Sequence, residues 1–173
     1  TEGLVTINPR LVYIKPVDRE KVYDGAKLQA EEWEYYSTSL NNQNYQFVEG
    51  QTLNCIFEGE QLFVGQSLST LTVSQIISGS DLVNLANYNV YCGSGSLTVH
   101  GIEIIVENQS LEKVYDGKVC NLTEYEILNP ENLLSGHKIS VVSPFMGTDA
   151  GVFVNEMEIV ITNETGDEVV GIY

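Results

Sequence analysis

Positive charge is what this chain has least of. Eight Lys and Arg stand against 24 Asp and Glu, a net charge of −16, and no Lys or Arg occurs between Lys27 and Lys113. Such an anionic segment repels nucleic acid and acidic membrane headgroups, which removes both from the list of partners. Histidine is limited to His100 and His137. A nucleophile, base and acid set is therefore hard to assemble, and Gly93-Ser94-Gly95-Ser96 has no G-x-S-x-G spacing and reads as a hairpin turn. The three cysteines, Cys55, Cys92 and Cys120, form no C-x-x-C and no Cys/His ligand spacing, which excludes a zinc site. Long apolar runs are missing too: Gln61–Ser80 is uncharged, but its Gln, Ser and Thr content keeps it out of lipid. A 3.6-residue period is absent, and only Leu28–Tyr36, through Ala30-Glu31-Glu32-Trp33, has room for a turn of helix.

What is present is repetition. Glu20-Lys21-Val22-Tyr23-Asp24-Gly25 returns unchanged as Glu112-Lys113-Val114-Tyr115-Asp116-Gly117, an offset of 113 − 21 = 92. At that offset Tyr13-Ile14 lies over Ile105-Val106, and Trp33-Glu34-Tyr35 over Tyr125-Glu126-Ile127. Further on the offset falls to 136 − 50 = 86, matching Gly50 to Gly136, Gly65 to Gly151 and Asp81 to Asp167. The six extra residues of the first copy belong in a loop, and polar Leu40–Tyr45 is the natural place. With a one-residue gap Tyr173 falls on Tyr88, and Val5-Thr6-Ile7 falls on Leu97-Thr98-Val99.

These matches divide the chain into residues 1–8, the last strand of a preceding repeat or a linker; residues 9–100, a first β repeat; and residues 101–173, a second repeat without its last strand. Leu4–Ile7, Leu53–Phe57, Gln61–Val64, Leu71–Val73, Tyr88–Tyr91, Leu97–Val99, Lys138–Val142, Gly151–Val154 and Met157–Ile161 read as short strands, the last closed by a hairpin loop at Asn163–Asp167. Short strands joined by turns predict an all-β chain of two tandem antiparallel β-sandwich domains, with β-grasp-like sheets as the alternative. Cys55 with Cys92 is the one pair inside a single repeat, and Val141 replaces Cys55 in the other, so the fold does not depend on a disulfide.

In the repeated motif Asp-Gly signals a turn, with Tyr23 and Tyr115 as packed anchors, so Lys21, Tyr23, Asp24 and Gly25 and their copies Lys113, Tyr115, Asp116 and Gly117 form a structural motif. Buried beside an Asn and a carboxylate, Lys21 or Lys113 could instead form an intramolecular cross-link. Asp18, Glu20 and Asp24 could hold calcium at a junction between domains, although no D-x-D-x-D-G loop is present. Glu31, Glu32, Glu34, Glu58 and Glu60 read as solvent-facing carboxylates and not as a glycosidase pair, so no catalytic residue is assigned and no enzyme is expected. Trp33, Tyr35 and Tyr36 are the candidate ligand contacts.

Lys-Val-Tyr-Asp-Gly, Ala86-Asn-Tyr-Asn-Val90, Gly95-Ser-Leu-Thr-Val99 and Gly147-Thr-Asp-Ala-Gly-Val-Phe153 together resemble, over nearly the whole chain, the YDG and MBG repeat domains of bacterial cell-surface adhesins. The sequence departs from that pattern at Ser67, Phe153 and Gly171-Ile172-Tyr173. The resemblance implies Ig-like domains without catalysis, in tandem on a secreted or wall-attached bacterial protein, forming a stalk or display segment. Its partners would be neighbouring repeats of the same chain and a host or cell-surface glycan or protein. No cofactor and no ligand-binding residue comes with the motif.

Overall fold

The computed structural model describes residues 2–142 and 145–173, and the chain divides into two compact units, Thr1–His100 and Gly101–Tyr173. The chain is all-β. Helix among the described residues is confined to single 3-10 turns at Ser37–Ser39, Gln43–Tyr45, Leu85–Asn87 and Pro130–Asn132.

Unit 1 contains β1 (Arg10–Pro16), β2 (Arg19–Val22), β3 (Trp33–Tyr35), β4 (Gln51–Glu58), β5 (Gly65–Ser78), β6 (Asp81–Val83), β7 (Tyr88–Cys92) and β8 (Gly95–His100). One sheet has the order β3-β1-β7; the other runs β2-β8-β5-β4, with β6 added along β5. In β1 the alternation of side chains buries Val12, Ile14 and Pro16 and leaves Leu11, Tyr13 and Lys15 on the outer face. β4 turns Leu53, Cys55 and Phe57 inward in the same way. Both sheets feed one apolar cluster built on Val12, Ile14, Phe47, Leu71, Ile76 and Tyr88, and Leu97 and Val99 of β8 join Leu28 and Ala30 in a second. Each fully buried aliphatic side chain contributes about 1.5–3 kcal/mol through the hydrophobic effect.

Not every pairing is antiparallel, as the sequence had suggested. β1 pairs with β7 in parallel, and β2 pairs with β8 in parallel. Segments 10–22 and 88–100 therefore run side by side, and both bend midway to leave one sheet for the other. The Gly93–Ser96 run is that bend and not a hairpin. Its Gly95 is required by proximity, since a Cβ there would stand 2.6 Å from the Pro16 carbonyl oxygen. The Asp18 carboxylate accepts a hydrogen bond from the Ser96 N–H at 2.7 Å and holds the two bends together.

Three further expectations are corrected. Leu28–Tyr36 contains no helical turn: Leu28 bridges to Gln61 and Trp33–Tyr35 is drawn into β3, so tertiary pairing overrides a weak helical preference. Gln61–Val64 is a loop, and the strand starts at Gly65 because only from there does β8 lie alongside. Leu4–Ile7 joins no strand, and Leu4, Val5 and Ile7 are exposed by 95%, 86% and 90%; Thr1 lies outside the described residues.

Among the described residues, unit 2 contains three two-stranded ladders. β9 (Val106–Asn108) pairs with β11 (Tyr125–Ile127), β10 (Cys120–Leu122) with β13 (Phe145–Gly147), and β12 (Lys138–Val141) with β14 (Ile159–Thr162). Their registers repeat those of unit 1. Adding 92 to Ile14↔Tyr35, Lys15↔Glu34 and Pro16↔Trp33 gives Val106↔Ile127, Glu107↔Glu126 and Asn108↔Tyr125, the pairs observed. The bridge Leu28↔Gln61 becomes Cys120↔Gly147, and Cys55↔Val73 becomes Val141↔Ile159.

The two irregularities in the alignment have structural counterparts. The β4–β5 register shifts between Asn54 and Cys55, leaving Ser74 as the extra residue of a β-bulge, whereas β12–β14 runs straight through the same point. The longer connection in unit 1 holds two 3-10 turns, Ser37–Ser39 and Gln43–Tyr45, where unit 2 has only Pro130–Asn132. Leu40–Tyr45 lies within that longer connection. Asn163–Asp167 forms the expected hairpin loop, with Asn163 Oδ1 accepting from the N–H groups of Thr165 and Asp167. Gly151–Val154 lies outside every strand. In unit 1 the equivalent residues pair with β8, and no described residue of unit 2 occupies that place.

Candidate functional site

The repeated hexapeptide folds the same way twice. Lys21 Nζ meets Asp24 Oδ1 at 2.5 Å, and Lys113 Nζ meets Asp116 Oδ1 at 2.9 Å. The same aspartate oxygens accept from the N–H groups two residues on, Ala26 at 2.9 Å and Lys118 at 3.0 Å, which is the bond pattern that makes Asp a turn former. The lysine ammonium, with help from that N–H, holds the carboxyl of Asp24 and of Asp116 below the usual aspartate value. Gly25 at φ +78° and Gly117 at φ +74° complete the turns in the left-handed region. Lys21 also donates to the Ala26 carbonyl. The Lys21 ammonium therefore meets a carboxylate and a carbonyl oxygen, and that of Lys113 meets a carboxylate. The anchors differ: Tyr23 packs against the Leu28, Ala30, Leu97 and Val99 cluster, while Tyr115 is 66% exposed.

A tyrosine clasp, which the sequence marks only as a matched pair, also recurs. The Tyr88 hydroxyl accepts from the Val48 N–H at 3.2 Å and donates to Gln51 Oε1 at 2.6 Å. The Tyr173 hydroxyl accepts from the Leu134 N–H at 3.0 Å and shares a hydrogen bond with His137 Nδ1 at 2.9 Å. Leu134 and His137 are Val48 and Gln51 plus 86. His137 thus occupies a structural position that glutamine fills in the other unit.

The three candidate contact residues are distributed over two faces. Trp33 and Tyr35 point toward the interior, where their rings pack edge to face at 5.1 Å and both reach Phe47. The Tyr35 hydroxyl accepts from the Phe47 N–H, and burial pushes its pKa up. Trp33 also borders a shallow concavity with Glu31, Glu32, Leu53 and Asn54. Tyr36 is on the outer face of the β3-β1-β7 sheet. There its ring lies edge-on to Tyr13 at 6.2 Å, and Tyr13 stacks on its cross-strand partner Tyr91 at 4.9 Å and 15°. Lys15, on the same face, pairs with Asp18 at 2.7 Å and Glu34 at 3.1 Å. This three-tyrosine platform with a charged margin suits stacking against a flat apolar face of a ligand. Tyr13 and Tyr91 escape sequence reasoning because 78 residues separate them; the alternation Val12, Ile14, Pro16 was the signal that Tyr13 faces outward.

Other reactive side chains are dispersed or already engaged. Asp18 accepts from Lys15 and the Ser96 N–H, which lower its pKa; Glu20 meets His100 Nε2 at 3.1 Å; and Asp24 is held in its turn. No group of three potential metal ligands occurs among the described residues. Cys55, Cys92 and Cys120 are free thiols. Cys55 is half-buried and Cys92 exposed, and desolvation pushes both thiols up, away from the reactive thiolate. No helix among the described residues is long and apolar enough to cross a membrane. Compared with known proteins, the chain matches no family model, no curated protein and no solved structure.

Proposed function

We propose that this chain is a non-enzymatic pair of Ig-like β repeats from an extracellular bacterial adhesin-like protein, attached to the cell surface or wall and serving as a stalk or display segment. The observation that carries this reading is the double occurrence of one structural plan, with the same ladder registers, Lys–Asp turn and tyrosine clasp at fixed offsets. The polar groups of the motif are consumed in holding backbone, which is what a spacer needs and what a reaction centre does not. The shared core of the two sheets in unit 1 favours a sandwich over a β-grasp sheet, and its parallel terminal strands are part of how that sandwich closes.

The test is displacement of a cargo. Inserted between a surface anchor and a fluorescent reporter on a bacterial cell, the chain should raise the reporter above the envelope by a fixed height, and a screen of glycan and ester substrates should show no turnover. A reporter height no greater than that of a flexible linker of equal length would refute the stalk role.

A second reading, a glycan- or protein-binding module, draws support from the Tyr13, Tyr36 and Tyr91 platform. In a glycan array, binding that survives Trp33→Ala but is lost in Tyr91→Ala, with an unchanged circular dichroism spectrum, would favour it and locate the contact surface.

A further inference from the structure

Unit 1 leaves one strand edge open, and unit 2 shows how the same edge is closed. β4 is eight residues long and pairs only with β5, which makes it the longest strand paired on one side alone among the described residues. Its single charge is Glu58 at the end, and no lysine or proline blunts it. The extra residue of the bulge belongs to β5, so β4 alternates regularly, and Leu53, Cys55 and Phe57 turn their backbone groups the same way. Trp33 of the other sheet lines the concavity beside this edge together with Leu53, Phe57 and the exposed Glu31 and Glu32; its volume is about 620 Å³.

At the offsets of 92 and 86, Trp33 and Leu53 become Tyr125 and Ile139. The Tyr125 hydroxyl donates to the Ile139 carbonyl at 3.0 Å, which ties β11 to the free edge of β12. The Leu53 carbonyl is the counterpart in unit 1. Trp33 donates only through its indole nitrogen and makes no such bond among the described residues, so this edge stays open to a donor from outside. Charge differs in the same sense. Thr123 stands in place of Glu31, and β12 begins with Lys138, whereas two carboxylates flank the edge of β4. Glu31 meets Arg19 at 3.4 Å, but between exposed groups such a contact holds the carboxylate only weakly.

We infer that β4 takes an extended basic segment of a partner protein as an added strand along residues 53–57, with an apolar side chain against Trp33 and a lysine or arginine two positions away beside Glu31 and Glu32. Backbone hydrogen bonds to the edge supply affinity, and the side chains on the inner face of the added strand supply selectivity. A net charge of −16 draws a basic segment in and turns an acidic one away. The concavity lies on the inner side of β3 and the tyrosine platform on the outer side of its sheet, so the inference is independent of both the stalk reading and the platform reading.

The probe is the heptapeptide Thr-Val-Thr-Lys-Thr-Val-Thr, and the reporter is Trp33, the single tryptophan of the chain. Titration into the 173-residue protein should give a saturable change in Trp33 emission and slower amide exchange at residues 53–57. Glutamate in place of the peptide's lysine should weaken binding more than about tenfold, since it sets like charges together. Glu31→Gln with Glu32→Gln changes exposed side chains, so unit 1 stays folded; affinity should fall about threefold to tenfold at low salt and less at high salt. Peptides N-methylated at the odd or at the even amides should differ, one set losing binding and the other keeping it, because an edge strand is bonded through every second residue. Trp33→Tyr, which copies unit 2, should lower the affinity measured by calorimetry. No change in emission at millimolar peptide, equal binding of the lysine and glutamate peptides, or equal binding of both methylated sets would overturn the inference. So would a dimer in sedimentation with residues 53–57 already protected, which would assign the edge to a second copy.

Discussion

The two units execute one plan to different degrees. In unit 1, β8 sits between β2 and β5, and Val12, Ile14, Ile76, Leu97 and Val99 are all exposed by 1% or less. In unit 2 the same turns, ladders and clasp are made, yet of its described apolar residues only Ile102 and Ile161 are buried, at 7% and 9%. The difference separates two things that are usually acquired together. Local pairing and turn geometry follow from short-range sequence, while burial depends on one central strand that contributes to both sheet continuity and core.

The largest test of that separation is Leu97→Ala. Removing a fully buried leucine costs about 2–5 kcal/mol, so unit 1 should lose most of its advantage in a urea titration followed by the single tryptophan, Trp33. Unit 1 stability unchanged by this substitution would mean that β8 is not what distinguishes the units. Tyr88→Phe and Tyr173→Phe come next. Each deletes a hydroxyl that accepts from a backbone N–H, at a cost of about 1–2 kcal/mol, and hydrogen exchange at Val48 and Leu134 should rise in the respective variant. A loss at one position only would break the equivalence of the clasps.

Gly25→Ala and Gly117→Ala should have nearly equal effects of about 1 kcal/mol, because both residues have positive φ and neither has an atom near the added methyl. The smallest expected effect is on pH dependence. The carboxyls of Asp24 and Asp116 have folded-state values below the ordinary 3.8, so their contribution is complete above that value and disappears as pH falls through the lower folded one. Urea midpoints measured between neutral and strongly acid pH should therefore decline at the acid end. Asp24→Asn with Asp116→Asn should flatten the decline, leaving only the share contributed by Asp18 and other groups.

The repeat and its offsets were legible in the sequence because Lys, Asp and Gly at fixed spacing are needed wherever this turn is made. Even the one-residue gap before Tyr173 belonged to real differences in bulge and loop length. The sheet order was not legible. Gly93-Ser94-Gly95-Ser96 has the composition of a hairpin, but its glycine answers to Pro16, a residue 79 positions earlier, and no local pattern encodes that proximity. Leu4–Ile7 had every mark of a strand and is not one here, since β-propensity describes a side chain's fit to a neighbour and the arm has no neighbour within its own unit. The Tyr13–Tyr91 stack was hidden for the same reason: it exists only once β1 and β7 are side by side.

The parallel course of segments 10–22 and 88–100 has a mechanical consequence. Tension applied to unit 1 at residue 10 and at residue 100 pulls the two segments along their length in opposite directions, so the bonds of both ladders are loaded together in shear instead of being opened one after another. A unit wired in this way yields only when a whole row gives at once.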